Sequence, residues 1–236
     1  MHQISISPEA RAFARDQRGG AERMFERLDL ARTAHLVIDM QNGFVEPGAP
    51  VEVPAARDIV PNINAISAAV RAGGGINVFL RMTVDEESLR SWSNWFRYFH
   101  TPMTTAGFKE AFGRGARLWR LYPAIDTASG DLVVDKTRFG AFVPGASDLH
   151  QVLQARKIDT LIISGTLSNC CCESTARDAM QMNYKLIFVA DANAALTDAA
   201  HNATLDNMTM LFADVVFTDE VLATIAASAP ASEPAE

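Results

Sequence analysis

Six short apolar runs rich in β-branched residues recur along the chain, with amphipathic helical stretches between them. They predict strands over 35–39, 76–81, 132–136, 160–164, 185–190 and 213–218. Continuous rather than alternating apolar runs mean strands buried on both faces, and helices between successive strands make the sheet parallel. The predicted fold is therefore α/β, three layers (α/β/α) built on a six-stranded parallel, doubly wound sheet. Between the first two runs, Ile59, Ile63, Ile66 and Val70 repeat at helical spacing, and Gly73, Gly74 and Gly75 end that helix. These glycines follow a helix instead of opening one after a strand, so they are not a dinucleotide-binding loop, and no phosphate-loop signature occurs. No nucleotide cofactor is expected.

The rhythm breaks between 85 and 122. This stretch holds Trp92, Trp95, Phe96, Tyr98, Phe99, Phe108, Phe112, Trp119 and Tyr122, nine of the nineteen aromatic residues, and is too long for a simple connection. Long inserts in α/β domains form lids, pocket walls or subunit contacts, and aromatics suit all three; a satellite cluster beneath a loop is the alternative. The organisation expected is an N-terminal extension over 1–32, one domain over 33–225 carrying the insert, and a low-complexity, disordered tail over 226–236.

Composition narrows the class. With 48% apolar and 21% charged residues in 236, the chain can bury a core without disulfides or a structural metal. Its three cysteines, Cys170, Cys171 and Cys172, are adjacent, which excludes a pairwise disulfide framework and suggests a reducing, cytoplasmic setting. A net charge of −7 opposes binding to nucleic acid. No apolar run approaches the roughly 20 residues that cross a bilayer, and the N-terminus is charged where a signal peptide is apolar. Neither nucleic acid nor a membrane is an expected partner.

In an open parallel sheet, ligands bind beyond the carboxyl ends of the strands. Asp39 closes the first strand, Lys136 closes the third, and Cys171 lies just past the fourth, where the next helix starts. Singly these could be a turn cap, a solvated strand end and a small buried apolar group. Together they supply what acyl transfer through a thiol needs: a thiol near a helix N-terminus, a cation to stabilise its thiolate, and a carboxylate to carry its proton.

The segments LVIDMQNGF (36–44), VVDKTRFGAF (133–142) and SGTLSNCCCESTARDA (164–179) resemble the isochorismatase-like cysteine hydrolase superfamily, over about 33–225. The resemblance implies the strand order 3-2-1-4-5-6 and an Asp-Lys-Cys triad that maps onto Asp39, Lys136 and Cys171. It also implies a non-proline cis peptide at 166–167, with the N–H groups of Leu167 and Cys171 forming an oxyanion hole. Cys170 and Cys172 are left as packing neighbours. Isochorismatases proper lack the cysteine, so its presence points to an amidohydrolase that cleaves a C–N bond through a thioester. The stretch TLSNCCCEST is similar to ureidoacrylate amidohydrolases and N-carbamoylsarcosine amidases. Nicotinamidase-like or isochorismatase-like hydrolysis is the alternative, as is a non-catalytic or redox-sensing protein on this fold. Nicotinamidases hold a metal through a D-x-H motif that this chain lacks; His2, His35, His100, His150 and His201 show no ligand spacing, so neither metal nor cofactor is expected. Members of the superfamily are commonly dimers or tetramers, which makes a homodimer or homotetramer the expectation.

Substrate contacts are less constrained. Arg81 either pairs with a substrate carboxylate or makes a structural salt bridge. Gln41 orients the triad or substrate, or holds a turn. Asn169 faces the site or caps the following helix. Trp92, Trp95, Phe96, His100 and Phe142 are the candidate pocket wall, which would favour a compact small-molecule amide or ureido substrate.

Overall fold

The computed structural model describes residues 1–228. In chain order the elements are α1 (Pro8–Gln17), β1 (Thr33–Ile38), α2 (Asn42–Val45), α3 (Val60–Ala72), β2 (Ile76–Met82), α4 (Glu86–Ser91), α5 (Ser93–Tyr98), α6 (Pro102–Phe112), β3 (Leu132–Lys136), α7 (Leu149–Ala155), β4 (Thr160–Thr166), α8 (Glu173–Gln181), β5 (Lys185–Ala194), α9 (Asp198–Asn207), β6 (Asp214–Val216) and α10 (Thr218–Ser228). The six strands pair in parallel in the order β3-β2-β1-β4-β5-β6. The predicted strands are all present. β5 runs on through the polar segment to Ala194, where a register shift against β4 between Ile163 and Gly165 lets Asn193 bond the Ile163 and Val189 carbonyls.

Side chains alternate between two cores. Val37, Phe79, Ile162 and Ile187 meet Ile63, Ile66 and Val70 of α3 and Val221 and Ile225 of α10. On the other face Leu36, Ile38, Leu80, Leu161 and Ile163 meet Leu149 and Leu153 of α7 and Ala176 and Ala179 of α8. Each fully buried Leu or Ile contributes about 1.5–3 kcal/mol, so this double core accounts for a chain whose cysteines are all free.

The sheet reverses its winding between β1 and β4, where Ile38 pairs with Gly165. The two backbones approach so closely that a Cβ on Gly165, whose φ is +120°, would sit 2.1 Å from the Ile38 carbonyl oxygen. Only glycine fits there.

His35 lies wholly inside this central region, its ring nitrogens bonded to Ser67 Oγ (3.1 Å) and Ser164 Oγ (2.7 Å). Burial lowers its pKa to about 3. The folded state therefore keeps His35 neutral while the unfolded chain takes up a proton below its ordinary value, so acid favours unfolding. Its contribution is complete above that ordinary value and declines as pH falls toward the folded one. Between about pH 7 and about pH 5 urea unfolding is expected to show a loss on the order of 2 kcal/mol from this residue. A His35→Asn variant should flatten that slope whatever its absolute stability; an unchanged slope would assign the acid sensitivity elsewhere.

Residues 1–32 pack against the rest of the chain. Arg18 bonds Asp214 and the carbonyls of Thr209 and Ala213, while Asp214 accepts from the Met24 and Phe25 amides. At the other end, α10 extends three residues into the expected tail. Ser228 donates to the Thr224 carbonyl and accepts from the Leu28 amide, which holds 226–228 in helix. The remainder of the expected tail, 229–236, lies outside the described residues. No described helix is long and apolar enough to cross a membrane.

Candidate active site

Asp39 follows the last residue of β1 and takes a left-handed conformation, φ 53°, which a short polar side chain tolerates. Its amide bonds the Leu80 carbonyl at 3.0 Å. Lys136 ends β3, two strands away, in register with Met82. Its ammonium reaches back across β2 to Asp39 Oδ2 at 2.8 Å, with Met82 Sδ at 3.8 Å and the Arg138 carbonyl at 3.1 Å. Both charged side chains are fully buried. Among the described residues neither Asp39 oxygen accepts a well-directed hydrogen bond, so its lone pairs remain available to a proton.

Cys171 completes the group. β4 leads through a cis peptide, Thr166–Leu167, into a π-helical turn, Ser168–Cys172, that continues into α8. The Leu167 carbonyl accepts from the Cys170 and Cys172 amides at 3.0 and 3.1 Å, winding the turn about that oxygen. Cys171 is 3% exposed and Cys172 is fully buried, while Cys170 is half-buried.

The electrostatics follow from this enclosure. Burial alone would lower the Lys136 pKa, but the facing Asp39 carboxylate and Cys171 outweigh it and hold the ammonium well above its ordinary value. Hydrogen bonding with Cys170 and then burial push the Cys171 thiol up, against the pull of Lys136. The same thiol–thiol contact pushes Cys170 down. Cys171 thus rests as a thiol beside a preformed ion pair, and a base is required to turn it into a thiolate. Asp39 is the carboxylate at hand.

The insert covers the carboxyl ends of β1, β2 and β3. Asp85 and Ser88 form a capping box at the start of α4, and Thr101 and Thr104 another at α6, where Pro102 takes the first turn. Trp92 stacks on Trp95 at 4.3 Å, and both pack edge-on against Phe139 at 4.8 and 5.4 Å. Phe96, His100 and Phe108 join this cluster, which continues through Phe112 to Phe44. Burial lowers the His100 pKa. The seam to the strand ends is made with backbone: the Asn42 and Gly43 amides donate to the Arg120 and Leu118 carbonyls, the Asn42 side chain donates to the Arg117 carbonyl, and the Tyr122 amide donates to the Met40 carbonyl.

Two expected substrate contacts, Gln41 and Arg81, take their structural alternatives, and two others, Asn169 and Phe142, lie outside the tryptophan cluster. Gln41 is fully buried; its amide donates to the Met82 and Trp119 carbonyls and its oxygen accepts from the Met82 amide, so every strong position is taken by backbone. It stitches the insert to β2 instead of facing a substrate. Arg81 pairs with Asp135 at 2.8 Å and lies 3.6 Å over the Trp119 ring, the structural reading of this residue. Asn169 is exposed and caps no helix, because the turn begins at Leu167 with no side-chain cap. Phe142 lies apart from the tryptophan cluster, against Tyr184 and His150. Trp92, Trp95, Phe96 and His100 do come together.

Met82, the Arg138 carbonyl and Phe139 went unrecognised in the sequence. Phe139 stands three residues after Lys136 in the quoted TRFGAF segment, and its strand-end position was the available signal. A cleft of about 700 Å³ beside β3 is lined by Ser88, Ser91, Arg114, Asp135 and Arg138, but by none of Asp39, Lys136 and Cys171. Among the described residues no three His, Cys, Asp or Glu side chains converge as a metal site.

A family model described as the Isochorismatase domain matches residues 33–220. The chain is 29% identical over 214 residues to a ureidoacrylate amidohydrolase, RutB, of Variovorax paradoxus, covering 84% of this chain and 83% of that protein. The solved structure of a cysteine hydrolase from Pseudomonas syringae superposes with a TM-score of 0.73 at 29% identity, covering 85% of this chain and 95% of the other. That of an N-carbamoylsarcosine amidase from Thermoplasma acidophilum superposes with a TM-score of 0.62 at 26% identity, covering 80% and 97%.

Proposed function

The chain belongs to the isochorismatase family, and from that premise we propose that it is a cysteine-dependent amidohydrolase, cleaving a C–N bond of a small amide or carbamoyl compound. The observation that carries this reading is the fully buried Asp39–Lys136 ion pair beside Cys171 at the carboxyl ends of the strands. The relatives named for ureidoacrylate and N-carbamoylsarcosine hydrolysis lend the substrate class.

Asp39 takes the Cys171 proton as the sulfur attacks the substrate carbonyl carbon, and Lys136 holds both anions in place. Charge moves onto the carbonyl oxygen, which the Leu167 and Cys171 N–H groups receive. The tetrahedral intermediate collapses, Asp39 returns the proton to the departing nitrogen, and ammonia or an amine leaves. Water, deprotonated by Asp39, then attacks the thioester and releases the acid and the Cys171 thiol.

Asp135, shared with Arg114, and the Trp119 ring hold Arg81 in place; with Arg81 so fastened, uncharged primary amides and carbamoyl compounds are favoured over ureido acids. A panel of nicotinamide, aliphatic amides, biuret-like compounds and ureido acids, read by ammonia release, tests both the activity and this preference. Asp39→Asn is expected to lower turnover on the best substrate about a hundredfold to ten-thousandfold. Wild-type turnover in that variant would remove Asp39 from the mechanism, and no release from any panel member would overturn the amidohydrolase reading.

A further inference from the structure

The turn that carries Cys171 begins at Ser168, which is fully buried and whose Oγ lies 2.7 Å from His201 Nδ1 on α9. His201 is itself fully buried, and its Nε2 has no hydrogen-bond partner among the described residues. Its ring stacks on that of His2 at 4.4 Å with 15° between the planes. The nucleophile turn is therefore linked, through one serine and two stacked imidazoles, to the second residue of the chain.

His2 is bonded at both ring nitrogens. The Ala195 amide donates to its Nε2 at 3.0 Å, and an N–H can only donate, so Nε2 is unprotonated. The ring proton is then on Nδ1, which donates to Asp198 Oδ1 at 2.7 Å. Asp198 belongs to a series. Asp198, Asn202 and Asp206 recur every four residues on one face of α9, and each holds a piece of the N-terminal segment. Asn202 accepts from the Ser5 amide at 3.0 Å and donates to the Gln3 carbonyl at 2.9 Å, while Asp206 accepts from the Ser7 amide at 2.7 Å. A loose extension would not need a helix face whose polar side chains match its backbone groups. Because α9 supplies both this face and His201, the segment and the nucleophile turn are fastened to one rigid element.

We propose that residues 2–7 form a strap that positions the nucleophile, with His201 and Ser168 as positioning residues acting on Cys171 through the 168–172 turn. This rests on the assignment of Cys171 as nucleophile and adds to it a control point outside the site. Neither imidazole touches the reacting atoms. Their work is to hold the turn so that the Cys171 sulfur and the N–H groups around it face the same carbonyl, and small misplacements at that level are costly.

The test uses His2→Ala, Ser168→Ala, their double variant, His201→Asn and His201→Leu in the full chain. Three quantities are read: kcat and KM on the best amide of the panel, the rate of Cys171 alkylation by iodoacetamide localised by tandem mass spectrometry, and Tm. His2→Ala and Ser168→Ala should each lower kcat about tenfold, with KM moving less than about twofold. The double variant should be no slower than Ser168→Ala, because both cut one linkage through His201. His201→Asn, whose amide can stand near the place of Nδ1, should recover most of the turnover that His201→Leu loses. Wild-type kcat and alkylation rate in His2→Ala would overturn the strap, as would kcat losses that simply multiply in the double variant, or Asn and Leu behaving alike. If no panel amide is hydrolysed, the hydrolase reading fails by itself and alkylation decides the strap: a change of about threefold or more in His2→Ala and Ser168→Ala supports it, and wild-type rates overturn it.

Discussion

Replacing Cys171 by alanine is expected to lower kcat/KM by at least about a thousandfold, with the fold intact. The side chain is small and 3% exposed, so the void it leaves costs about 1 kcal/mol; the loss is chemical. The informative control is Cys170→Ala. Cys170 is the more exposed of the two thiols and the one pushed toward the thiolate by its neighbour, so acidity alone would favour it as the nucleophile. Position argues the other way. Cys171 is the buried thiol that faces the Lys136 ammonium, and in the proposed mechanism its proton passes to Asp39 as it attacks, so a low resting acidity is no obstacle. Cys170→Ala should stay within about tenfold of wild type. The reverse ranking would move the nucleophile to Cys170, and comparable turnover in both variants would remove the thioester. Acyl-enzyme trapped by acid quench and located by peptide mass identifies the residue directly.

Lys136→Met should be the most damaging substitution for stability and equally severe for turnover. It leaves the Asp39 carboxylate buried with no opposite charge, and breaking such a pair from one side costs about 3–5 kcal/mol. Replacing both partners by neutral groups removes that penalty. The double variant Asp39→Asn/Lys136→Met is therefore expected to unfold in urea close to wild type while remaining inactive; asparagine also tolerates the left-handed backbone at 39. If the double variant is as unstable as Lys136→Met alone, the ion pair is not the source of the loss and Lys136 acts through its packing on Met82.

The strands and their parallel arrangement were legible because burial on both faces requires continuous apolar runs, and β1, buried at every position, is the extreme case. Asp39, Lys136 and Cys171 were legible because the first two close apolar runs and the third follows one, and because the three segments that carry them resemble the isochorismatase-like superfamily. Arg81 and Gln41 could not be resolved. Whether Arg81 meets a substrate or Asp135 depends on the register of β2 against β3, which pairs residues 81 and 135 and has no signature in either strand alone. Gln41 binds backbone carbonyls, and carbonyls look alike in any sequence. The His2–His201 stack escaped notice because its partners lie almost the whole chain apart, and no periodicity connects residues that distant.

The seam between insert and strand ends carries a further consequence. At every hydrogen bond described there, from Gln41, Asn42, Gly43 and Met40 to residues 117–122, the insert contributes a main-chain carbonyl or amide. Two side chains of 117–122 add to the seam: Arg117 pairs with Glu46, and the Trp119 indole N–H donates to Thr83 Oγ at 2.8 Å. Substitutions at Trp92, Trp95 and Phe96 leave each of these bonds in place, so the composition of that cluster can change while the attachment through 117–122 stays as it is. For an engineer, a cover exchanged at this joint has to keep the length of the main chain across it together with the arginine at 117 and the tryptophan at 119.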